Sequence, residues 1–247
     1  MISYEDICKS YQDDLYAVRD FSLAIGAGEL MAVIGPSGCG KTTVLKLLNR
    51  LVEPTSGVIR LHGEDIRDLD PISLRRRMGY VIQQVGLFPH MTILENISVV
   101  PDILGWPREK QRARAVELLE LIDMDPQLYG QRYPYQLSGG QQQRIGVLRA
   151  LAADPDVILM DEPFGAVDPL TRGKLQQELK SLHTRLGKTI LLVTHDIEEA
   201  FLLADRILLM QGGRIVQVGT ADQLKNQPAD PYVSEYIGSW LRKACHE

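Results

Sequence analysis

Cysteine is scarce in this chain: three residues in 247, at positions 8, 39 and 245, too few and too scattered for a disulfide framework or a metal knuckle. Positive charge has no excess either. Against 32 Asp and Glu stand only 27 Lys and Arg, so no global basic field recruits nucleic acid. Long hydrophobic runs are missing as well. The most apolar stretch, FLLADRILLM, is broken by Asp205 and Arg206 and falls short of the roughly 18 residues that a membrane span needs. The opening MISYEDICKSYQDD has neither the basic head nor the apolar core of a signal peptide. No internal repeat or low-complexity tract is visible. What remains, 45% hydrophobic and 24% charged, is the composition of a soluble globular protein expected in the cytoplasm, and it excludes disordered and collagen-like classes.

What is there reads as α/β. Four continuous apolar runs, LMAVI (30–34), VILMD (157–161), TILLVT (189–194) and RILLM (206–210), fit strands of a parallel sheet buried on both faces. Helical patterns lie between them: 108–122, and a leucine face at 175, 179, 182 and 186 that ends at Gly187. The first 30 residues and the VIRL run at 58–61 predict short strands in a small antiparallel sheet. Residues of about 88–153 predict a helical insertion with several prolines and no strand. Gly212-Gly213 predicts a tight hairpin. Arg75-Arg76-Arg77 reads as a solvated helix end.

After LMAVI comes Gly35-Pro36-Ser37-Gly38-Cys39-Gly40-Lys41-Thr42-Thr43, then the helical run VLKLLNRL. This is the phosphate-loop pattern in its confirming context, a strand before and a helix after. Its glycines let successive N–H groups curl toward phosphate oxygens, and the helix N-terminus adds positive potential. Lys41 is the candidate point charge for the β- and γ-phosphates, and Thr42 the candidate Mg²⁺ ligand. Cys39 lies inside the loop, so a thiol reagent is expected to block turnover, with nucleotide protecting. VILMDEP ends a buried strand in two carboxylates. Asp161 is placed to hold Mg²⁺ through water, and Glu162 to polarise an attacking water; alone, the pair also reads as a helix cap after a strand. His195, ending the TILLVT strand, can contact a γ-phosphate or be a histidine satisfied at a strand terminus.

QLSGGQQQR (136–144) is compatible with a plain serine N-cap at Ser138. In company with GPSGCGKTT, VILMDEP and TH, however, it resembles the signature of ABC-transporter nucleotide-binding subunits. The resemblance spans residues 1–220, with the motifs in the family's order. It implies a P-loop NTPase core of RecA type, an antiparallel β subdomain and a helical subdomain in one domain, 1–247, with a short C-terminal extension over 220–247. It further implies two subunits sandwiching two ATP molecules head to tail. Ser138, Gly139, Gly140 and Gln141 of one copy would close over nucleotide held by the other's phosphate loop. Tyr11 matches the aromatic that stacks on adenine, with Val18 packing beside it. Gln83 matches the glutamine that reaches Mg²⁺ and the attacking water, if the strand YVIQ ends there and not at Gln84. The segment 86–97 (GLFPHMTILENI) resembles the one that contacts a membrane permease. Asp168 matches the D-loop aspartate and is also a natural N-cap before Pro169. Gly165 departs from the serine more usual in the family.

No membrane span is fused to the motifs, which within this family implies an importer with separate permease subunits, a solute-binding protein and a place on the inner face of the cell membrane. GYVIQQVGLFPHMT and EPFGAVDPLTR resemble the quaternary-amine osmoprotectant branch, whose solutes are glycine betaine, carnitine or choline. Some branch members carry C-terminal CBS domains; the chain ends at Glu247 and none is expected within it. The alternatives are an importer ATPase for an amino acid or sulfonate, and a soluble ABC ATPase without a transport role.

Overall fold

Every side chain of LMAVI is buried, and the run forms strand β3 (Leu30–Ile34). The computed structural model describes residues 1–12, 15–83, 85–165 and 167–244. They divide into two units: residues 1–74 with the chain from Gly187 onward, and residues 75–186.

The first unit opens with two strands, β1 (Ile2–Gln12) and β2 (Leu15–Ile25), followed after β3 by helix α1 (Lys41–Leu48), strands β4 (Ser56–Leu61) and β5 (Glu64–Asp65), and helix α2 (Pro71–Arg76). β1 and β2 are each 11 residues long, not the short strands expected. Their pairing slips register at several places, and such bulges let long strands bend around a small core. The antiparallel sheet runs β2-β1-β4-β5. Alternation puts Ile2, Tyr4, Phe21, Leu23, Ile25, Ile59 and Leu61 on its buried face. Tyr4 meets Phe21 edge to face at 5.4 Å and donates from its hydroxyl to the Val44 carbonyl at 3.1 Å, which ties this sheet to α1.

In the second unit, β6 (Met78–Val81) pairs parallel with β7 (Val157–Asp161). Between them run α3 (Ile93–Ile103), α4 (Arg108–Leu121), α5 (Pro126–Tyr129) and α6 (Gly139–Leu151); α7 (Pro169–Leu186) follows. α7 buries Leu175, Leu179 and Leu182 as its spacing predicts. Gly79 in β6 is required by packing: a Cβ there would stand 2.5 Å from the Ala150 carbonyl oxygen of α6.

The chain then returns to the first unit with β8 (Thr189–Val193), α8 (Ile197–Leu203), β9 (Arg206–Gln211), β10 (Arg214–Gly219), α9 (Ala221–Asn226) and α10 (Pro231–Ala244). β3 lies between β8 and β9, parallel to both, so it is buried on both faces. β9 and β10 form the expected hairpin; Gly212 and Gly213 both take positive φ, as a primed two-residue turn demands. Among the described residues no helix is long and apolar enough to cross a membrane.

Candidate functional site

The phosphate loop leaves β3 and enters α1 at Lys41. Two of its glycines are dictated by the backbone around them. At Gly35 a Cβ would sit 2.3 Å from the Met210 carbonyl oxygen and 2.8 Å from Cys39 Sγ; at Gly40 (φ +104°) it would sit 2.1 Å from the Ala17 carbonyl oxygen. The loop is clipped from the side by the β9–β10 hairpin. Gly213 N–H donates to the Cys39 carbonyl at 3.2 Å, and Gly213's carbonyl accepts from Arg19 N–H at 2.8 Å. Lys41 is nearly fully buried and folds back over its own loop, its ammonium donating to the carbonyls of Gly35 at 2.8 Å and Pro36 at 3.0 Å. Pro36, Ser37 and Gly38 form the exposed crest, and Thr42 and Thr43 are half-buried in the first turn of α1. Cys39 is buried, and burial pushes its thiol up from the ordinary cysteine value against the opposing pull of the Lys41 charge.

In the same unit Tyr11 is 54% exposed, with the Lys9 ammonium 5.1 Å from its ring centre, so it presents an aromatic face. Val18 is fully buried and can only support from beneath. His195 is exposed just past β8. It lies between buried Thr194 and Asp196, which caps α8 by accepting from the N–H groups of Glu198 and Glu199.

The second unit brings Gln83 and Glu162 together. Gln83 Nε2 donates to Glu162 Oε2 at 3.1 Å across 79 residues of sequence. β6 ends at Val81, two residues before Gln83, so the glutamine sits on the bend after the strand and not at its tip. Gln84 lies outside the described residues. Glu162 is held at φ +47°, a conformation that non-glycine residues adopt rarely and that aims a side chain away from the strand direction. Asp161 ends β7; burial, with the Asp161 charge adding to it, pushes the Tyr80 hydroxyl up to about 12. A Cβ at Gly165 would meet the Glu162 carbonyl oxygen at 3.5 Å and Gln83 Nε2 at 3.6 Å, ordinary contact distances. Asp168 does cap α7: its Oδ1 accepts from Thr171 N–H at 3.0 Å.

Ser138 caps α6 in a reciprocal box with Gln141: the Gln141 N–H reaches Ser138 Oγ at 3.3 Å, and the Ser138 N–H reaches Gln141 Oε1 at 2.9 Å. Ser138 and Gly139 are exposed and Gly139 has open space beside it, whereas a Cβ at Gly140 would strike Thr171 Cγ2 at 2.4 Å. The helix start is thus packed on one side and open on the other, an arrangement suited to meeting an anion.

Two polar side chains that anchor the backbone of residues 85–92 escape motif reading. Asn96 is wholly buried in α3; its amide accepts from Phe88 N–H at 2.8 Å and donates to the carbonyls of Phe88, Met91 and Thr92. Arg149, in the last turn of α6, donates to the carbonyls of Val85 at 2.9 Å and Gly86 at 2.7 Å. The only advance sign was a polar residue on an otherwise core-facing stretch, and that sign does not name the partner.

Each unit offers hard oxygen donors of the kind a divalent cation takes: the Thr42 hydroxyl in the first, and the Asp161 carboxylate and Gln83 amide oxygen in the second. Among the described residues no three His, Cys, Asp or Glu gather into a metal cage.

Residues 18–165 match a family model described as "ABC transporter". The chain is 58% identical over 96% of its length to the "Choline transport ATP-binding protein OpuBA" of Bacillus subtilis, of which it spans 62%. It is 50% identical over 96% of its length to the "Glycine betaine uptake system ATP-binding protein YehX" of Escherichia coli, of which it spans 77%. Among solved structures, a dimeric ATP-binding cassette in a post-hydrolysis state bound to ADP and Pi superposes with a TM-score of 0.76. That match is 35% identical and covers 89% of this chain and 98% of the other.

Proposed function

The chain belongs to the ABC transporter family, and on that premise we propose that it is the ATP-hydrolysing subunit of an importer for a quaternary-amine osmoprotectant such as glycine betaine, carnitine or choline. The observation that carries the solute class is the 58% identity, across almost the whole chain, to a protein named for choline transport. That relative is longer than this chain, so the substrate is inferred from it and not read from any residue.

In the proposed cycle the Gly35–Thr43 loop cradles the phosphates of ATP, Lys41 takes the charge of the β- and γ-groups, and Tyr11 stacks on the base. Thr42, Asp161 and Gln83 would hold Mg²⁺, which when bound neutralises the charge that develops on the phosphates. Glu162 accepts a proton from the attacking water while Gln83 orients that water and His195 contacts the γ-phosphate. Ser138, Gly139, Gly140 and Gln141 of a second copy close over the same nucleotide, with Asp168 near the junction. The γ-phosphate is then a ligand common to both copies, so its hydrolysis opens the pair. Separate permease subunits dock on the 86–97 segment, a solute-binding protein delivers the solute to them, and the chain works on the inner face of the cell membrane.

The test is reconstitution with the permease and binding protein encoded beside this chain, measuring ATP hydrolysis with and without glycine betaine. Stimulation by glycine betaine supports the reading. Basal hydrolysis without stimulation by any quaternary amine overturns the solute class and leaves the ATPase.

A further inference from the structure

Arg149 stands at the opposite end of α6 from Ser138. Burial lowers the basicity of its guanidinium, and among the described residues no carboxylate is in ion-pair range of it. Its charge is spent instead on two consecutive backbone carbonyls, Val85 at 2.9 Å and Gly86 at 2.7 Å, and its guanidinium carbon lies 5.9 Å from the Phe88 ring centre. A planar fork suits that task, because its diverging donors keep a fixed geometry toward two acceptors, where an ammonium's donors rotate freely. One turn earlier, Gly146 lets α6 approach the same segment: a Cβ there would lie 3.0 Å from Val85 Cγ1. Asn96 fastens the next stretch, at Phe88, Met91 and Thr92. The chain that follows Gln83 is therefore gripped from two helices while Gln83 itself sits exposed, bonded to Glu162.

We propose that Arg149 is a positioning residue for hydrolysis: its grip on Val85 and Gly86 sets the pose in which Gln83 meets Glu162. The proposal rests on the role given above to Gln83, and Arg149 touches neither nucleotide nor water.

The test compares wild type, R149K and R149A in the full chain by three measurements: affinity for a fluorescent ATP analogue, steady-state hydrolysis, and amide hydrogen exchange. In R149A, exchange over 85–88 is expected to speed up by about tenfold or more while α6 stays protected. Its kcat is expected to fall by about tenfold or more, with KM and analogue affinity within about twofold of wild type. R149K, which keeps the charge without the rigid fork, is expected to lie between. Unchanged exchange over 85–88 in R149A overturns the grip, and either a wild-type kcat or a fall in kcat matched by an equal loss of nucleotide affinity overturns the positioning role. If R149A does not fold, R149K decides alone, and wild-type exchange and kcat in it overturn the proposal. Should the wild-type chain itself hydrolyse nothing, the functional reading fails, and the exchange measurement still judges the grip.

Discussion

Gln83 and Glu162, 79 residues apart, share a hydrogen bond of 3.1 Å, with the glutamine amide as donor and the carboxylate as acceptor. The amide thereby holds the carboxylate in one orientation beside the bend that carries Gln83. Glu162→Gln keeps the shape and removes the base. Nucleotide affinity is expected to stay within about twofold of wild type, while kcat falls by about a hundredfold or more. Wild-type turnover in this variant would remove Glu162 from its role.

The buried thiol of Cys39 makes a pH prediction. A raised value means less thiolate at neutral pH than at an exposed cysteine. In a Cys8→Ser, Cys245→Ser background, alkylation of Cys39 should be slow at neutral pH. Its rate should go on climbing above about pH 8.5, where an ordinary thiol begins to level off. ATP should slow it, and modified protein should not hydrolyse ATP. A rate that levels off at the ordinary value, or full turnover after complete modification, contradicts this account.

Four glycines separate folding from function. Gly35→Ala and Gly40→Ala push a methyl into backbone oxygens, so each should cost at least about 2 kcal/mol and lower Tm by roughly 4–8 °C. Gly140→Ala meets a side-chain methyl of Thr171 and should behave likewise, to a smaller extent. Gly139→Ala has open space and should leave Tm within about 2 °C of wild type. Its hydrolysis should nonetheless fall about tenfold, because the added methyl stands on the face proposed to meet the second copy's nucleotide. Thermal melts and ATPase rates on the four variants check this, and a large Tm loss at Gly139 would count against the open face.

Gly165→Ser restores the residue more usual in the family. The measured space admits it at van der Waals distance and φ is not positive, so Tm should move by less than about 2 °C and hydrolysis by less than about threefold. A collapse of either would mean that the Glu162–Gln83 pair needs the space above it empty.

Much of this was legible in the sequence for a physical reason: a phosphate loop is a local backbone device, so its glycines, lysine and threonines must follow one another. The strand β3 before it and the cap at Ser138 are local in the same sense. The grip of Arg149 on residues 85 and 86 is not, because it depends on where α6 lies against a segment more than 60 residues away. The positive φ of Glu162 was equally hidden, since nothing in the letters DEP distinguishes a strained glutamate from a relaxed one. Val18, which the resemblance has packing beside Tyr11, is fully buried, and no spacing in the sequence announces that.

The Lys41 ammonium is already engaged with the carbonyls of Gly35 and Pro36. Nucleotide arrival is therefore a swap of partners for that cation, not a rescue of a lonely one. The free energy gained is the difference between phosphate and peptide oxygens, smaller than the attraction alone would supply. A loop that can satisfy its own lysine holds any phosphate less tightly, and in the cycle proposed above, which resets after each hydrolysis, easy release is worth as much as firm capture.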